Sequence, residues 1–471
     1  MSPNVLALRV LSPLLLVLGL SSTCFGDDLP ETVQVQVHKG DGYRGIWYSN
    51  QPTKDEFHYK YSGGFATYPQ QHAPIAIHVP AVNKTFFCYG GTEKGKNELL
   101  HMISYFDHAT KMVPRPTILL NKHTDDAHEN PTLCIDDQGY LWIFSNSHGA
   151  SHKAYIHRSM APYSIDGFER ISTTNFSYSQ PRYLPGTGFF FLHTRYSPGR
   201  NLFWMTSRDG RNWDEPKLLA KIEMGHYQIS TQQNKRVATA FNFHPKPIGL
   251  NARTNLYYLE TSDGGKTWQN VQGEPVRLPL VESKNSALVH DYRSEGLLVY
   301  LKDMQFDAEG HPVLLYLTSK GFEPGPGNGP RLWSTARWDG QTWRTRKFTE
   351  SDHNYDFGSL YLEQADRWRI IAPTEPGPQA FGTGGDVVMW ISNDQGETWA
   401  RRKQLTHSKQ ANHTFVRRPV DAHPDFYAIW ADGDVLKPST SSLYFTNREG
   451  DHVWKLPESM TEDFATPAKI R

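Results

Sequence analysis

Hydrophobic and polar residues alternate in short runs along most of the chain, and turn residues separate the runs. Residues 254–260 read TNLYYLE and residues 385–391 read GDVVMWI, each with the alternation of a half-buried strand. Residues 127–149 read AHENPTLCIDDQGYLWIFSNSHG, in which an Asp-Asp-Gln-Gly turn joins two apolar runs. Helical periodicity is nearly absent. The pattern predicts an all-β protein built from short strands and tight turns.

One turn pattern recurs downstream, and each copy ends in tryptophan. The copies are SRDGRNW at 207–213, SDGGKTW at 262–268, WDGQTW at 338–343, SNDQGETW at 392–399 and a weaker one at 447–454. The tryptophans recur roughly every 55 residues, with one gap of about 75. This is the Asp-box, in which Asp and Gly build a hairpin turn that Trp covers, and we interpret it as structural. Four strands fit in one period, which is a propeller blade.

The repeat therefore predicts a single β-propeller domain over residues 27–471. It would be seven-bladed, with Asp-box hairpins, and its blades would fill about residues 40–460. A propeller closes on itself, so we expect no internal domain boundary.

Composition agrees with a protein that recognises sugars. The 471 residues include 49 basic and 49 acidic side chains, so no net field favours nucleic acid or a membrane surface. Aromatic residues make up 13% of the chain, with 13 Trp and 23 Tyr. Aromatic faces pack on the apolar face of a pyranose, while polar groups bind its hydroxyls.

Residues 1–26 read as a signal peptide. Arg9 precedes an apolar core at 14–18, and small residues at 21–26 offer a cleavage site. The apolar run is short for a membrane span, and Thr23 before Cys24 fits a lipoprotein signal poorly. We expect a secreted or periplasmic protein. Export would permit a disulfide between Cys88 and Cys134; two buried free thiols is the slightly preferred alternative.

Candidate site residues are polar side chains at strand ends in consecutive blades, because the inner strands of a propeller converge on one funnel. They are His128, His148, Tyr178, Arg195, Tyr227 and His244. Each of these residues, taken alone, is more often a structural side chain whose hydrogen bonds are made within the fold. Together they supply imidazoles, phenols and a guanidinium, whereas glycoside hydrolysis normally uses two carboxyl groups. The set suits β-elimination at a uronic acid, in which Arg neutralises the carboxylate and His and Tyr transfer protons.

Five motifs within about residues 120–270 carry a resemblance. They are His-x-x-Pro at 128–131, Asp-x-x-Gly-Tyr at 136–140, Ser-His-Gly at 147–149, Tyr-x-Gln-Pro-Arg at 178–182 and Phe-His at 243–244. Together they resemble the β-propeller ulvan lyases of polysaccharide lyase families 25 and 24, and more broadly proteins with BNR-4 repeats. The resemblance implies cleavage of an anionic, ulvan-like polysaccharide. It implies that His128 and Tyr178 are the proton-transfer pair and that Arg195 neutralises the carboxylate of the substrate. It also implies that His148, Tyr227 and His244 bind substrate.

Two other functions stay open from the sequence. A sialidase-like exo-glycosidase also carries Asp-boxes, and Arg44 would begin its arginine triad. A non-catalytic glycan-binding propeller would explain the aromatic residues. The sequence requires no cofactor and leaves a structural calcium or zinc ion open. We expect a monomer with no nucleic-acid partner and no membrane span. The sequence leaves three questions open: which uronate polymer is cleaved, whether cleavage is endo or exo, and which of His128 and Tyr178 is the base.

Overall fold

The computed structural model describes residue 1, residues 32–64 and residues 71–471. Thr32–Arg471 forms one compact unit. Apart from Met1, the predicted signal peptide lies outside the described residues. Within the described part of the chain, no helix combines the length and hydropathy that crossing a bilayer requires.

Seven antiparallel sheets follow one another through the described residues, each built on four strands in chain order. Blades 1 and 2 comprise Ala76–Val79, Lys84–Gly91, Leu100–Asp107, Thr117–Asn121, then Pro131–Ile135, Leu141–Ser145, Ala154–Ser159 and Phe168–Thr174. Blades 3 and 4 comprise Ser177–Leu184, Gly188–Tyr196, Arg200–Ser207, Lys217–Ala220, then Gln228–Gln233, Arg236–Phe243, Thr254–Thr261 and Leu288–His290. Blades 5 to 7 comprise Leu298–Phe306, Pro312–Ser319, Arg331–Trp338, Trp343–Ser351, then Ser359–Leu362, Trp368–Glu375, Asp386–Ser392, Ala400–Gln404, and finally Asn412–Arg417, Ala428–Gly433, Leu443–Thr446 and Val453–Lys455. The predicted all-β, seven-bladed propeller is confirmed.

Segments near both ends of the chain add strands to the outer edges of blades. His38–Lys39 pairs with blade 1, Val33–Val35 with blade 2 and Ala468–Lys469 with blade 7. The strands therefore extend beyond the predicted range of 40–460, because these segments satisfy backbone groups that outer strands would otherwise expose. Two further strand pairs are Trp47–Pro52 with Tyr59–Gly64 and Val113–Pro114 with Phe464–Ala465. Four short 3-10 helices lie among the described residues: Pro80–Val82, Ala127–Glu129, Gly249–Ala252 and Pro326–Asn328.

The recurrent turns have the hydrogen bonding that the Asp-box pattern predicts. In blade 4, Asp263 accepts hydrogen bonds from the Thr267 backbone N–H at 3.0 Å and from its hydroxyl at 2.7 Å. In blade 6, Asp394 accepts from the Thr398 N–H at 2.9 Å. The carboxylate thus replaces backbone partners that a tight turn cannot supply.

The hydrophobic core lies largely between neighbouring blades. One buried cluster joins blades 3 and 4, where Trp204 meets Trp268 edge to face at 5.4 Å. The Asp-box glycine of blade 4, Gly265, sits against Trp204 of blade 3. Cys88 in blade 1 and Cys134 in blade 2 are buried free thiols, so the slightly preferred alternative for this pair is confirmed.

Two adjacent glycines of the blade 4 turn separate backbone conformation from packing. Gly264 and Gly265 have φ of +73° and +80°, but a Cβ at position 264 would meet nothing within 4 Å, whereas one at 265 would lie 2.9 Å from Cδ1 of Trp204. Both alanine variants should lose about 1–2 kcal/mol of unfolding free energy from the left-handed backbone. Gly265→Ala should lose about 1–3 kcal/mol more from overpacking. Urea unfolding of the two variants measures the difference; equal losses would show that the turn does not pack on blade 3.

Candidate active site

One end of the propeller gathers the starts of the first strands and the ends of the second strands of successive blades. Five of the six predicted residues lie there and contact one another. They are His128 and His148 of blade 2, Tyr178 of blade 3, and Tyr227 and His244 of blade 4. We call this end the funnel.

A single carboxylate holds the two histidines of blade 2. Asp126 caps the 3-10 helix Ala127–Glu129 and accepts the His128 backbone N–H at 2.9 Å. Its Oδ1 is hydrogen-bonded to Nδ1 of His128, and its Oδ2 lies 2.5 Å from Nδ1 of His148. The two imidazoles stack with centroids 4.0 Å apart and an interplanar angle of 13°. The strand pair between them turns both rings into the funnel, as the hairpin predicts.

The environment fixes the charge state of this group. Burial lowers the pKa of His128 to about 4, although the Asp126 carboxylate opposes that shift. Burial alone would raise the pKa of Asp126, but the two imidazoles outweigh it and hold that pKa below its ordinary value. At neutral pH the group is therefore an aspartate that accepts from a neutral His128.

A buried ion pair supports the loop that carries His148. Glu129 lies 2.9 Å from Nζ of Lys122, and the side chains of both are almost fully buried. The Glu129 carboxylate also accepts the His148 backbone N–H at 3.1 Å and approaches Nδ1 of His152 at 2.6 Å. These contacts satisfy the buried charge and orient the His148 loop against the helix that carries His128.

Tyr178 stands in an unusual backbone conformation at the start of blade 3. Its φ is +53°, and the register with Gly188–Tyr196 shifts between Ser177 and Gln180, which marks a β-bulge. A positive φ is a genuine outlier for a bulky aromatic residue and costs free energy that the surrounding structure must offset. The bulge turns the phenol into the funnel, where its Oη lies 3.1 Å from Oη of Tyr196 and its ring 6.2 Å from that of His128.

Tyr227 and His244 form the wall beside Tyr178. The Tyr227 ring meets Tyr178 edge to face at 5.4 Å and His244 at 4.9 Å. The Arg253 guanidinium lies 4.7 Å from the centre of the Tyr227 ring and donates to Oη of Tyr355 at 3.0 Å. Burial, reinforced by the Arg253 charge, holds the pKa of His244 well below its ordinary value, so this wall carries a neutral imidazole beside a buried cation.

Arg195 is the predicted residue that the structure does not bring to this group. It precedes Tyr196 on one strand, and successive side chains of a strand point to opposite faces. Tyr196 faces Tyr178, whereas Arg195 shares a face with His193 and has Glu215 as its electrostatic partner. Arg200 pairs directly across the hairpin from Tyr196, with its guanidinium 5.2 Å from that ring. The funnel therefore receives Arg200 in the place where we expected Arg195.

The hairpin of Trp47–Pro52 and Tyr59–Gly64 adds residues that sequence reasoning missed. Tyr48 Oη lies 3.0 Å from Nδ1 of His128. Lys60 is buried, bonded to Asn251, and its pKa is lowered to about 7 by burial and then by the Arg253 charge. No local motif marks these contacts, because they join parts of the chain far apart. Asp126 could have been predicted from the sequence, since an Asp two residues before His128 can cap the helical turn that contains this histidine.

Three of these side chains have the composition of a metal site. The ligating atoms of Asp126, His128 and His148 lie within 4.8 Å of one another. Imidazole nitrogen with carboxylate oxygen suits zinc.

Arg44, the first residue of the alternative arginine triad, lies elsewhere: it is buried against Asp41 and the carbonyl oxygen of Glu458.

Comparison with known sequences identifies relatives. The profile described as "BNR repeat-containing family member" matches residues 102–351. The chain is 22% identical over 364 residues to "Ulvan Lyase-PL25" of Pseudoalteromonas sp. (strain PLSV), covering 69% of this chain and 72% of that protein. It is 21% identical over 425 residues to "Ulvan lyase" of Alteromonas sp. (strain LOR), covering 80% and 85%.

A solved structure shares the fold. It is a PL25 ulvan lyase bound to -[GlcA(1-4)Rha3S]-, which superposes with a TM-score of 0.68 and 19% identity over 88% of this chain and 96% of that one. At this identity the likeness shows the architecture of the chain.

Buried neutral histidines make the fold sensitive to acid. Burial lowers the pKa of His226 to about 4, and its ring accepts the Ile222 N–H at 2.9 Å and lies 2.8 Å from the carbonyl oxygen of Asn242. The unfolded chain, with a pKa near 6.5, binds a proton that the folded chain excludes, so stability falls as pH drops from 6.5 towards 4. His226 alone should account for about 3 kcal/mol by pH 4.

Urea unfolding midpoints at pH 7, 6, 5 and 4.5 measure this effect. His226→Gln should start less stable at pH 7 and then lose less than the wild type on acidification. His407 is exposed, so His407→Gln is the matched control and should follow the wild-type curve. Parallel curves for all three proteins would contradict the assignment.

Proposed function

The chain belongs to the BNR repeat-containing family, and we propose that it is a polysaccharide lyase that cleaves a uronate-containing polysaccharide by β-elimination. One observation carries the proposal: a neutral His128 bound to Asp126 faces a bulged Tyr178, with Arg200 on the same side. The carboxylate of this group is engaged by two imidazoles through both oxygens. That is not the arrangement of the acid and nucleophile of a glycoside hydrolase.

His128 serves as the base in this proposal. With its Nδ1–H donated to Asp126, the neutral ring carries its lone pair on Nε2. Nε2 would take the proton from C5 of the uronate, and the adjacent carboxylate would stabilise the imidazolium that results. A carboxylate behind a histidine does the same in other enzymes that use this pair. His148 shares the carboxylate and holds it in place.

Tyr178 serves as the acid. Its hydroxyl would protonate O4 as the C4–O4 bond breaks, and the electron pair left by the C5 proton would form the C4=C5 double bond. The products are an unsaturated uronate and a new reducing end. The hydrogen bond with Tyr196 stabilises the phenolate that Tyr178 becomes.

Arg200 serves to neutralise the substrate carboxylate. Removing a proton beside a carboxylate builds negative charge, and a guanidinium binds that charge in a bidentate fashion. Burial raises the pKa of Tyr196 and lowers that of His128, and the charge of Arg200 opposes the first shift and adds to the second. With the buried Arg253, it gives the funnel a positive field suited to a polyanion.

The substrate class follows from the relatives and from this field. The named relatives are ulvan lyases, and we extend that class of anionic polysaccharide to this chain. We expect the chain to act as a monomer. We infer export to the periplasm or beyond from the signal-peptide pattern of residues 1–26.

The reaction class is tested by the chemistry of the product. When the protein is incubated with ulvan, the ultraviolet absorbance of the conjugated double bond in the unsaturated uronate should rise. It should rise in proportion to the number of new reducing ends. Tyr178→Phe keeps the ring and removes one oxygen, so it should stay folded and lose about 10²–10⁴-fold in rate. New reducing ends without the double bond would identify hydrolysis and remove the lyase proposal.

Two arginines of one hairpin test the carboxylate assignment. Arg200→Lys keeps a charge and loses the planar fork, so kcat/KM should fall about 10²-fold, as when one donor to a developing oxyanion is lost. Arg195 is five residues away, equally half-buried and on the opposite face. Arg195→Lys is thus the matched control, and its kcat/KM should stay within about twofold of the wild-type value, because it keeps a charge at a position outside the funnel group. The reverse result would return the role to Arg195.

A further inference from the structure

A second group of histidines lies at the end of the propeller opposite the funnel. His78 is on the inner strand of blade 1, and His108 directly follows the third strand of that blade. His423 and Asp425 lie between the first two strands of blade 7. The ring centroids are 3.7 Å apart for His108 and His423, 4.9 Å for His78 and His423, and 5.3 Å for His78 and His108. Three imidazoles and a carboxylate therefore meet where the first blade joins the last.

Hydrogen bonds prepare these rings for a ligand. Nε2 of His108 lies 2.8 Å from the Thr85 hydroxyl, and Nδ1 of His78 lies 3.1 Å from the carbonyl oxygen of Asp421. The other nitrogen of each ring, Nδ1 of His108 and Nε2 of His78, is buried and has no hydrogen-bond partner within the described residues. Histidine ligands characteristically donate one N–H to a backbone or side-chain oxygen, which leaves the lone pair of the other nitrogen for a metal.

We propose that His108, His423 and Asp425 bind a divalent transition metal, of which zinc fits best. Their ligating atoms lie within 4.8 Å of one another. His108 is 4% exposed, so a metal would satisfy a nitrogen that is otherwise buried without a partner. Two imidazoles with one carboxylate select zinc over calcium or magnesium, which prefer oxygen ligands throughout.

The remaining coordination chemistry is also at hand. Asp425 has a partly exposed side chain, and its Oδ2 forms an ion pair with Nζ of Lys111 at 2.5 Å, a contact that does not involve Oδ1. Nδ1 of His423 is 3.9 Å from Asp425 Oδ2 and accepts the Asp425 backbone N–H at 3.1 Å, so a metal bound at Nδ1 would replace that hydrogen bond. His78 borders these three residues, with its ring centroid 4.9 Å from that of His423.

The position of the site gives it a structural role. His108 belongs to blade 1, whereas His423 and Asp425 belong to blade 7, so the metal would link the two blades whose contact closes the ring. A ligand that binds the folded state and not the unfolded chain raises stability with its concentration. This inference does not depend on the proposed function, because the funnel residues lie at the other end of the inner strands.

Zinc content and zinc-dependent melting test the site. The full chain would be stripped with chelator, dialysed against zinc chloride, and measured by mass spectrometry of the metal and by thermal unfolding. His423→Ala and Asp425→Asn should each bind about one zinc ion fewer per chain than wild type, with affinity weakened at least about 100-fold. Both should lose the rise in Tm that zinc gives the wild type. The exposed His407→Ala is the matched control and should behave as wild type.

The funnel triplet of Asp126, His128 and His148 is distinguished by His148→Ala. If zinc binds at the blade junction, His148→Ala keeps the zinc-dependent rise in Tm and the junction variants lose it. An unchanged zinc count and Tm shift in both junction variants would overturn the proposal, whether the wild type binds zinc in the funnel or not at all. Circular dichroism of each variant confirms that a lost shift is not lost folding.

Discussion

Each blade depends on its neighbours, because a four-stranded sheet buries both faces only when another sheet packs on each side. The clusters of buried side chains join blade to blade, as where Trp204 of blade 3 meets Trp268 and Gly265 of blade 4. A ring satisfies this requirement for every blade, whereas an open stack would leave two faces exposed. Closure of the ring is therefore the constraint on which the rest of the structure depends, and the funnel exists because the inner strands of a closed ring converge.

Convergence places polar groups with strong mutual effects in a buried setting. Asp126 is stable there because two imidazoles bind its two oxygens, and the His128 ring stays neutral because burial lowers its pKa. The cations nearby, Arg200 and Arg253, lie against aromatic rings, which tolerate a guanidinium face. The funnel thus keeps neutral bases and positive charge side by side, and a bound polyanion would supply the negative charge that this arrangement lacks.

Local patterns predicted much of this structure. The Asp-box period gave seven blades, and a single hairpin in blade 2 was enough to bring His128 and His148 together. The position of Arg195 outside this group has a local reason as well. It and Tyr196 are neighbours on one strand, so only one of them can face the funnel, and the choice depends on a register that the sequence does not show. The cross-strand partner of Tyr196, Arg200, follows once that register is known.

Other parts of the site were beyond reach of local patterns. Tyr48 and Lys60 reach the funnel on a hairpin outside the blades, and their partners His128 and Asn251 are far along the chain. The same holds for His108 and His423, which meet only because the ring closes. Such contacts follow from tertiary packing, since neither spacing nor periodicity relates residues in blades 1 and 7.

Backbone conformation and side-chain packing oppose each other at Tyr178. Glycine or asparagine would occupy a φ of +53° more readily than tyrosine does. Either residue would, however, leave a cavity where the Tyr178 ring is buried against His128 and Tyr227, and losing a buried aromatic ring costs more than a left-handed backbone does. Phenylalanine would keep the ring and lose only the hydroxyl, so selection for durability alone would not protect the proposed acid, and directed evolution of this protein would need a simultaneous screen on polysaccharide.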